Sequence, residues 1–270
     1  MDAEFGEAHR PEALLTYCPA MLSLRLFAAC LLAALPAMAQ PNSFGIALTH
    51  VQLNSANPNA AIAFWKDVIG MSTYTHGSMT GVSTQGGLIL FTAKAPSGAS
   101  AGSAIDHIGL RVPELQPLIA RLAKTSYKGF QPTPGGDTLM IDGPDGVRIE
   151  LTEDSTMYSP LEFGHIHVHS AQPKETQAWY GKYFGGRPGT DDQAQSSRVP
   201  GGTLTFTSAD AALPSAGRAI DHVSFEVKDL KGFCKTLAES GIKLEPPVDS
   251  VVYLTDPWGT RIALTEAPAR

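Results

Sequence analysis

Three side chains of metal-binding types interrupt apolar strand patterns in the first half of this sequence. His50 and His107 lie in alternating segments, and Glu150 lies between Ile149 and Leu151. Residues two apart in a strand share a face, so the three side chains should point away from the core into a cavity. Two imidazoles and a carboxylate that meet there would bind Fe(II), Mn(II), Zn(II) or Ni(II) and leave positions open for a substrate. The sequence therefore predicts one divalent-metal site at His50, His107 and Glu150.

A second group of histidines lies in the other half of the chain. His165 and His167 share one face of an alternating segment, and His222 opens a later one. These three residues predict a possible second cavity. Ala263 stands where Glu150 stands in the first half, so we expect this second site to be degenerate.

The spacing of these residues shows that the chain is a tandem duplication. Ala104–His107 recurs as Ala219–His222 at an offset of 115, and the same offset takes His50 to His165. Each half divides again, because 57 residues separate its two opening histidines. Every quarter begins with an alternating strand, continues with an amphipathic helix and ends in three short strands. The sequence therefore predicts an α+β protein of four βαβββ modules.

The modules must pair, because the helix of a βαβββ unit covers only one face of its sheet. Four modules then make two half-open barrels. Neighbouring elements usually pack together, which favours one domain at residues 44–154 and a second at residues 163–267. If modules two and three pair instead, His165 replaces His50 beside His107 and Glu150.

This pattern resembles the vicinal-oxygen-chelate superfamily, which includes glyoxalase I, bleomycin-resistance proteins and type I extradiol dioxygenases. Its members place a metal ligand in the opening strand of a module and a glutamate in a last strand, as at His50, His107 and Glu150 here. The resemblance covers residues 45–266. It implies one divalent metal ion and a small substrate that chelates this ion through neighbouring oxygens, and it allows a possible homodimer.

Two departures from the superfamily pattern leave the type of reaction open. Glyoxalases have a fourth ligand where this chain has Leu90 or Thr205, and dioxygenases have a tyrosine where it has Met140. We therefore expect a metal-dependent lyase, isomerase or dioxygenase. The alternative is a non-catalytic protein that binds a small molecule, like the bleomycin-resistance members.

The first 39 residues do not fit the repeat and predict export. Residues 21–40 combine Arg25, an apolar run and Ala37-Met38-Ala39, which is the pattern of a signal peptide cleaved after Ala39. Residues 1–19 would be an N-terminal extension. The apolar run is too short for a membrane span, so the mature protein is expected in the periplasm or outside the cell. The net charge of −6 argues against nucleic acid as a partner.

Overall fold

The computed structural model describes residues 43–131, 136–191 and 194–268. The predicted signal peptide at residues 1–39 lies outside these residues. Among the described helices, none is long and apolar enough to cross a membrane.

The four predicted modules are present in the structure. Module 1 contains strand β1 (Ala47–Ser55), helix α1 (Pro58–Phe64), a π-helical continuation (Trp65–Ile69), and strands β2 (Ser72–His76), β3 (Met79–Thr84) and β4 (Gly87–Ala93). Module 2 contains β5 (Ile105–Val112), α2 (Gln116–Leu122), β6 (Lys128–Phe130), β7 (Thr138–Asp142), a 3-10 turn (Pro144–Gly146) and β8 (Arg148–Glu153). Module 3 contains β9 (Glu162–Ser170), α3 (Pro173–Phe184), β10 (Arg187–Asp191), β11 (Ala194–Val199) and β12 (Gly202–Ser208). Module 4 contains β13 (Ile220–Val227), α4 (Leu230–Glu239), β14 (Val252–Thr255) and β15 (Arg261–Glu266), and its remaining strand is reduced to isolated bridges such as Leu244 with Leu254.

The modules form two mixed sheets, which confirms the α+β class and the pairing of βαβββ units. The seven-stranded sheet has the order β14-β15-β13-β1-β4-β3-β2, and the eight-stranded sheet has the order β10-β11-β12-β9-β5-β8-β7-β6. Module 1 therefore pairs with module 4, and module 2 pairs with module 3. Val51 faces Val223 at the first junction, and Ile108 faces Ile166 at the second, both antiparallel.

The preference for pairing the two modules within each half is therefore wrong, and the linkers give the physical reason. The linker after module 1 and the linker after module 3 hydrogen-bond to each other. Ser97 N–H donates to Gly217 O at 2.8 Å, and Ala219 N–H donates to Gly98 O at 3.0 Å. Both linkers take the chain from one sheet to the other, so consecutive modules of each half lie in different sheets.

The two modules of each half still pack together, but they do so away from the sheet junctions. Phe184 of α3 lies 4.6 Å from Phe225 of β13 and 5.7 Å from Phe233 of α4, measured between ring centroids. Phe64 of α1 lies 4.6 Å from Tyr127, which follows α2. The two modules of each half are thus in contact in the apolar core beside the helices.

Glycines end some helices as their positions suggest. Gly70 and Gly185 follow the helices of modules 1 and 3 with φ of 104° and 66°, a left-handed conformation that glycine adopts easily. In module 2 no glycine stands at this point, because α2 ends at Leu122 and Gly129 already lies in β6.

Candidate metal centre

Three neighbouring strands of the eight-stranded sheet place the candidate ligands on one face. In the register of β5 with β9, His107 faces His167 and Gly109 faces His165. In the register of β5 with β8, Gly109 faces Glu150. Because facing residues in a sheet project to the same side, all four polar side chains lie over β5.

Short distances join these side chains into one cluster. His107 Nε2 lies 3.3 Å from Glu150 Oε2, and His165 Nε2 lies 3.7 Å from Glu150 Oε1. One nitrogen from each of His107, His165 and His167 lies within 4.8 Å of the other two. We call His107, His165, His167 and Glu150 the histidine–glutamate cluster.

Gly109 makes room for the imidazole of His165. A Cβ atom added at Gly109 would lie 2.6 Å from His165 Nδ1 and 2.7 Å from Nε2, closer than any van der Waals contact allows. The corresponding residue in module 4 is Ser224, which faces His50. The space over the central strand is therefore particular to the eight-stranded sheet.

Each imidazole of the cluster has a polar group behind it. Asp106 Oδ1 lies 2.8 Å from His107 Nδ1, and Asp191 Oδ2 lies 3.7 Å from His165 Nδ1. Thr207 Oγ1 lies 2.7 Å from His167 Nε2. The Asp106 carboxylate fixes the tautomer of His107 and directs its Nε2 inward, and Nε2 of both His107 and His165 faces Glu150.

The cluster combines an ionised carboxylate with a neutral imidazole. Burial alone would raise the pKa of the Glu150 carboxyl, but the contact with His107 lowers it to about 2. Burial, together with His107 and His165, lowers the pKa of His167 to about 2. Burial opposes charge on His107, yet Asp106 and Glu150 raise the pKa of its imidazole. Two carboxylates thus favour a positive charge at His107.

His50 lies in the other sheet, beside His222. Their ring centroids are 6.5 Å apart, and Ala263 faces both Ser224 and Tyr253, so no carboxylate stands in the position that Glu150 occupies. Burial beside His222 lowers the pKa of His50 to about 4. The structure therefore brings together His107, Glu150 and His165, the set expected if modules two and three pair.

The possible second cavity is divided between the two sheets. His165 and His167 belong to the histidine–glutamate cluster, whereas His222 lies with His50. His222 Nδ1 contacts Asp221 Oδ2 at 2.6 Å, which repeats the Asp106–His107 arrangement.

Two residues of the site were missed by sequence reasoning. Asp106 had a usable signal, because the pair Asp106-His107 recurs as Asp221-His222 and a histidine that binds a metal commonly donates its other ring N–H to a carboxylate. Asp191 had none, since its approach to His165 depends on how β10 is placed in the sheet.

The cluster opens into a cavity of about 620 Å³. Glu150 and His165 lie in its wall, together with Arg111, Arg187 and Arg198. This volume suits a small molecule.

Comparisons with known proteins agree with this architecture. The structure of glyoxalase I from Zea mays superposes with a TM-score of 0.63 at 14% identity, covering 82% of this chain and 92% of that chain. A proposed dioxygenase from Bacillus subtilis superposes with a TM-score of 0.58 at 16% identity, covering 83% and 86%. At these identities the likeness concerns the fold. None of the curated protein sequences compared with the chain matches it.

A family comparison identifies the first half of the chain directly. Residues 47–151 match the model of the Glyoxalase/Bleomycin resistance protein/Dioxygenase superfamily. The second half repeats the first in sequence, and modules from both halves pair in each sheet. Residues 47–151 therefore belong to the Glyoxalase/Bleomycin resistance protein/Dioxygenase superfamily, and the chain as a whole has the paired βαβββ fold seen in glyoxalase I.

Proposed function

We propose that this protein is a divalent-metal-dependent enzyme acting on a small molecule that chelates the metal through two neighbouring oxygens. His107, His165 and Glu150 would hold the ion. Two imidazoles and a carboxylate are donors that suit Fe(II), Mn(II), Zn(II) or Ni(II). His167 is close enough to supply a further nitrogen.

The observation that carries the proposal is the pair of imidazoles that each have a carboxylate behind Nδ1 and turn Nε2 toward Glu150. His107 has the arrangement of a ligand histidine whose other ring nitrogen is hydrogen-bonded to a carboxylate, at 2.8 Å from Asp106. In the described part of the chain, buried His167 Nδ1 has no hydrogen-bond partner, and buried His107 Nε2 has only the Glu150 carboxylate near it, at 3.3 Å. Such atoms are costly to bury, and a bound cation would satisfy them.

The charges of the site also suit a cation. Glu150 and Asp106 are both held ionised, with pKa values of about 2 despite their burial. Together they raise the pKa of His107, so the two carboxylates favour a bound positive charge. A metal ion would replace that proton, because a ligand imidazole must be neutral.

A bound divalent ion would supply Lewis acidity for an enolate, catecholate or similar oxyanion. The residues around the cluster do not select one reaction. Met140 faces Glu150 where dioxygenases have tyrosine, and Thr205 faces His167 where glyoxalases have a fourth ligand. Lyase, isomerase and dioxygenase chemistry are therefore all compatible with the proposal.

Metal analysis of matched variants tests the proposal. We expect about one divalent ion per chain in anaerobically purified protein, most of it lost in Glu150→Ala. His222→Ala is the matched control, since His222 holds the position of His107 in the other sheet, and it should retain the metal. His165→Ala should lose the ion and His50→Ala should keep it, because His165 contacts Glu150 and His50 lies in the other sheet.

A different result would favour the non-catalytic alternative. If the purified protein contains no metal, and Fe(II), Mn(II), Zn(II) and Ni(II) leave its melting temperature unchanged, the cluster does not bind these ions. The cavity would then belong to a protein that binds a small molecule without metal.

We also propose that the protein is exported. The support is the cleavage pattern that ends at Ala39. Mass spectrometry of the secreted or periplasmic protein should find a chain that begins at Gln40, and an uncleaved cytoplasmic protein would contradict export.

A further inference from the structure

Two arginines face each other in the wall of the cavity that contains Glu150 and His165. Arg187 of β10 is the direct partner of Arg198 in β11, and both side chains are exposed and line the cavity. Residues directly opposed in an antiparallel pair have Cβ atoms about 5 Å apart, and like charges in such a pair repel each other. This pairing costs stability unless an anion lies between the two guanidinium groups.

Within the described residues, these two arginines have no counter-charge. Five of the seven arginines there donate hydrogen bonds to a carboxylate or carbonyl oxygen, namely Arg111, Arg121, Arg148, Arg218 and Arg261. Arg111 also lines the cavity, but Asp154 and Glu162 neutralise it at 3.3 and 2.7 Å. The side chains of Arg187 and Arg198 alone among the seven have neither an ion pair nor a hydrogen bond to the described part of the chain.

The strand order sets the distance between these arginines and the cluster. The order β10-β11-β12-β9 puts Arg198 two strands and Arg187 three strands away from His165. At about 4.8 Å per strand, the backbone separations are about 10 and 14 Å. Arginine side chains that lean into the cavity shorten this gap, so one small molecule can reach both the cluster and the arginines.

We propose that Arg187 and Arg198 form an oxyanion subsite, and that the substrate is a metal chelator bearing a carboxylate or phosphoryl group. The forked guanidinium group binds both kinds of oxyanion with paired hydrogen bonds. The chelating end of this substrate rests on the proposed metal function, whereas the anionic end rests on the arginine pair alone.

Hydroxamates provide a direct probe, because they chelate metals through two neighbouring oxygens. Acetohydroxamate and a series of hydroxamates with a terminal carboxylate on two to five methylene groups are titrated into Zn(II)-loaded protein by calorimetry. We expect the best member of the series to bind at least about tenfold more tightly than acetohydroxamate, since its carboxylate would gain charge-assisted hydrogen bonds from the two guanidinium groups. Added salt should reduce the difference.

Matched variants assign the effect to the arginine pair. The double variant Arg187→Gln/Arg198→Gln should lose the preference for the carboxylate and keep its zinc content and acetohydroxamate affinity. Arg111→Gln is the control from the same cavity, and it should keep the preference because its charge is already neutralised. No preference in the unmodified protein, or its persistence in the double variant, would overturn the subsite.

A second measurement separates this inference from the metal proposal. Inorganic phosphate is titrated into metal-free protein and monitored by NMR. Binding that disappears in the double variant supports the subsite even if the protein takes up no metal. Absence of phosphate binding overturns the subsite even if the histidine–glutamate cluster binds zinc.

Discussion

Gly109→Ala should remove His165 from the metal site without unfolding the protein. The added Cβ would lie 2.6 and 2.7 Å from the two ring nitrogens of His165, whereas carbon atoms prefer about 3.5–4.0 Å. The imidazole must therefore retreat by about 1 Å. Metal–ligand distances tolerate only about 0.2 Å, so a ring displaced this far no longer binds an ion shared with Glu150.

The expected cost falls on metal affinity more than on stability. The group that must move is a side chain bordering the cavity, so the ring can turn into open space. Misplacing a ligand should cost more than losing a second-shell partner, which lowers affinity by about 10–100-fold. We therefore expect Gly109→Ala to weaken zinc binding by at least about tenfold, close to His165→Ala.

Competition with a chromophoric chelator measures the affinity, and circular dichroism of the metal-free protein checks the fold. Gly189→Ala is the matched control, because its added Cβ meets only Ser196 Oγ at 3.1 Å, and it should bind zinc as the unmodified protein does. A Gly109→Ala protein that is folded and binds zinc with unchanged affinity would refute the placement of His165 in the metal site.

Two further predictions concern the second shell and the other sheet. Asp106→Asn should weaken zinc binding by about 10–100-fold by removing the carboxylate behind His107, while Asp221→Asn, its counterpart beside His222, should not, and equal affinities in a competition assay would contradict this role. His50 predicts a pH dependence of stability. Burial lowers its pKa from 6.5 to about 4, so between these values the unfolded chain binds a proton that the folded chain does not. The free energy of unfolding should therefore fall by about 2 kcal/mol from pH 7 to pH 5 through this group. Urea denaturation of His50→Gln should show that part of the decrease abolished, and an unchanged decrease would exclude His50 as its source.

The sequence by itself determined the modules and the types of ligand. The offset that relates Ala104–His107 to Ala219–His222 is a property of the chain, and alternation in each opening strand decides which side chains leave the core. Both features are visible in the sequence without any tertiary contact, and the structure has the four modules where they were expected. Glu150 was identified for the same reason, because a carboxylate in an apolar strand is visible without any tertiary contact.

Only the tertiary structure decided which modules share a sheet, and therefore that His165 rather than His50 lies beside His107 and Glu150. His50 and His165 occupy the same position in repeated modules, so local sequence does not distinguish their strands as partners for the strand that contains His107. The choice depends on contacts between residues far apart in the chain. The linkers bind each other through Ser97 and Gly217, and the core packing of Phe184 against Phe225 joins the two modules of one half beside the helices, which leaves the sheet edges to pair with a module of the other half.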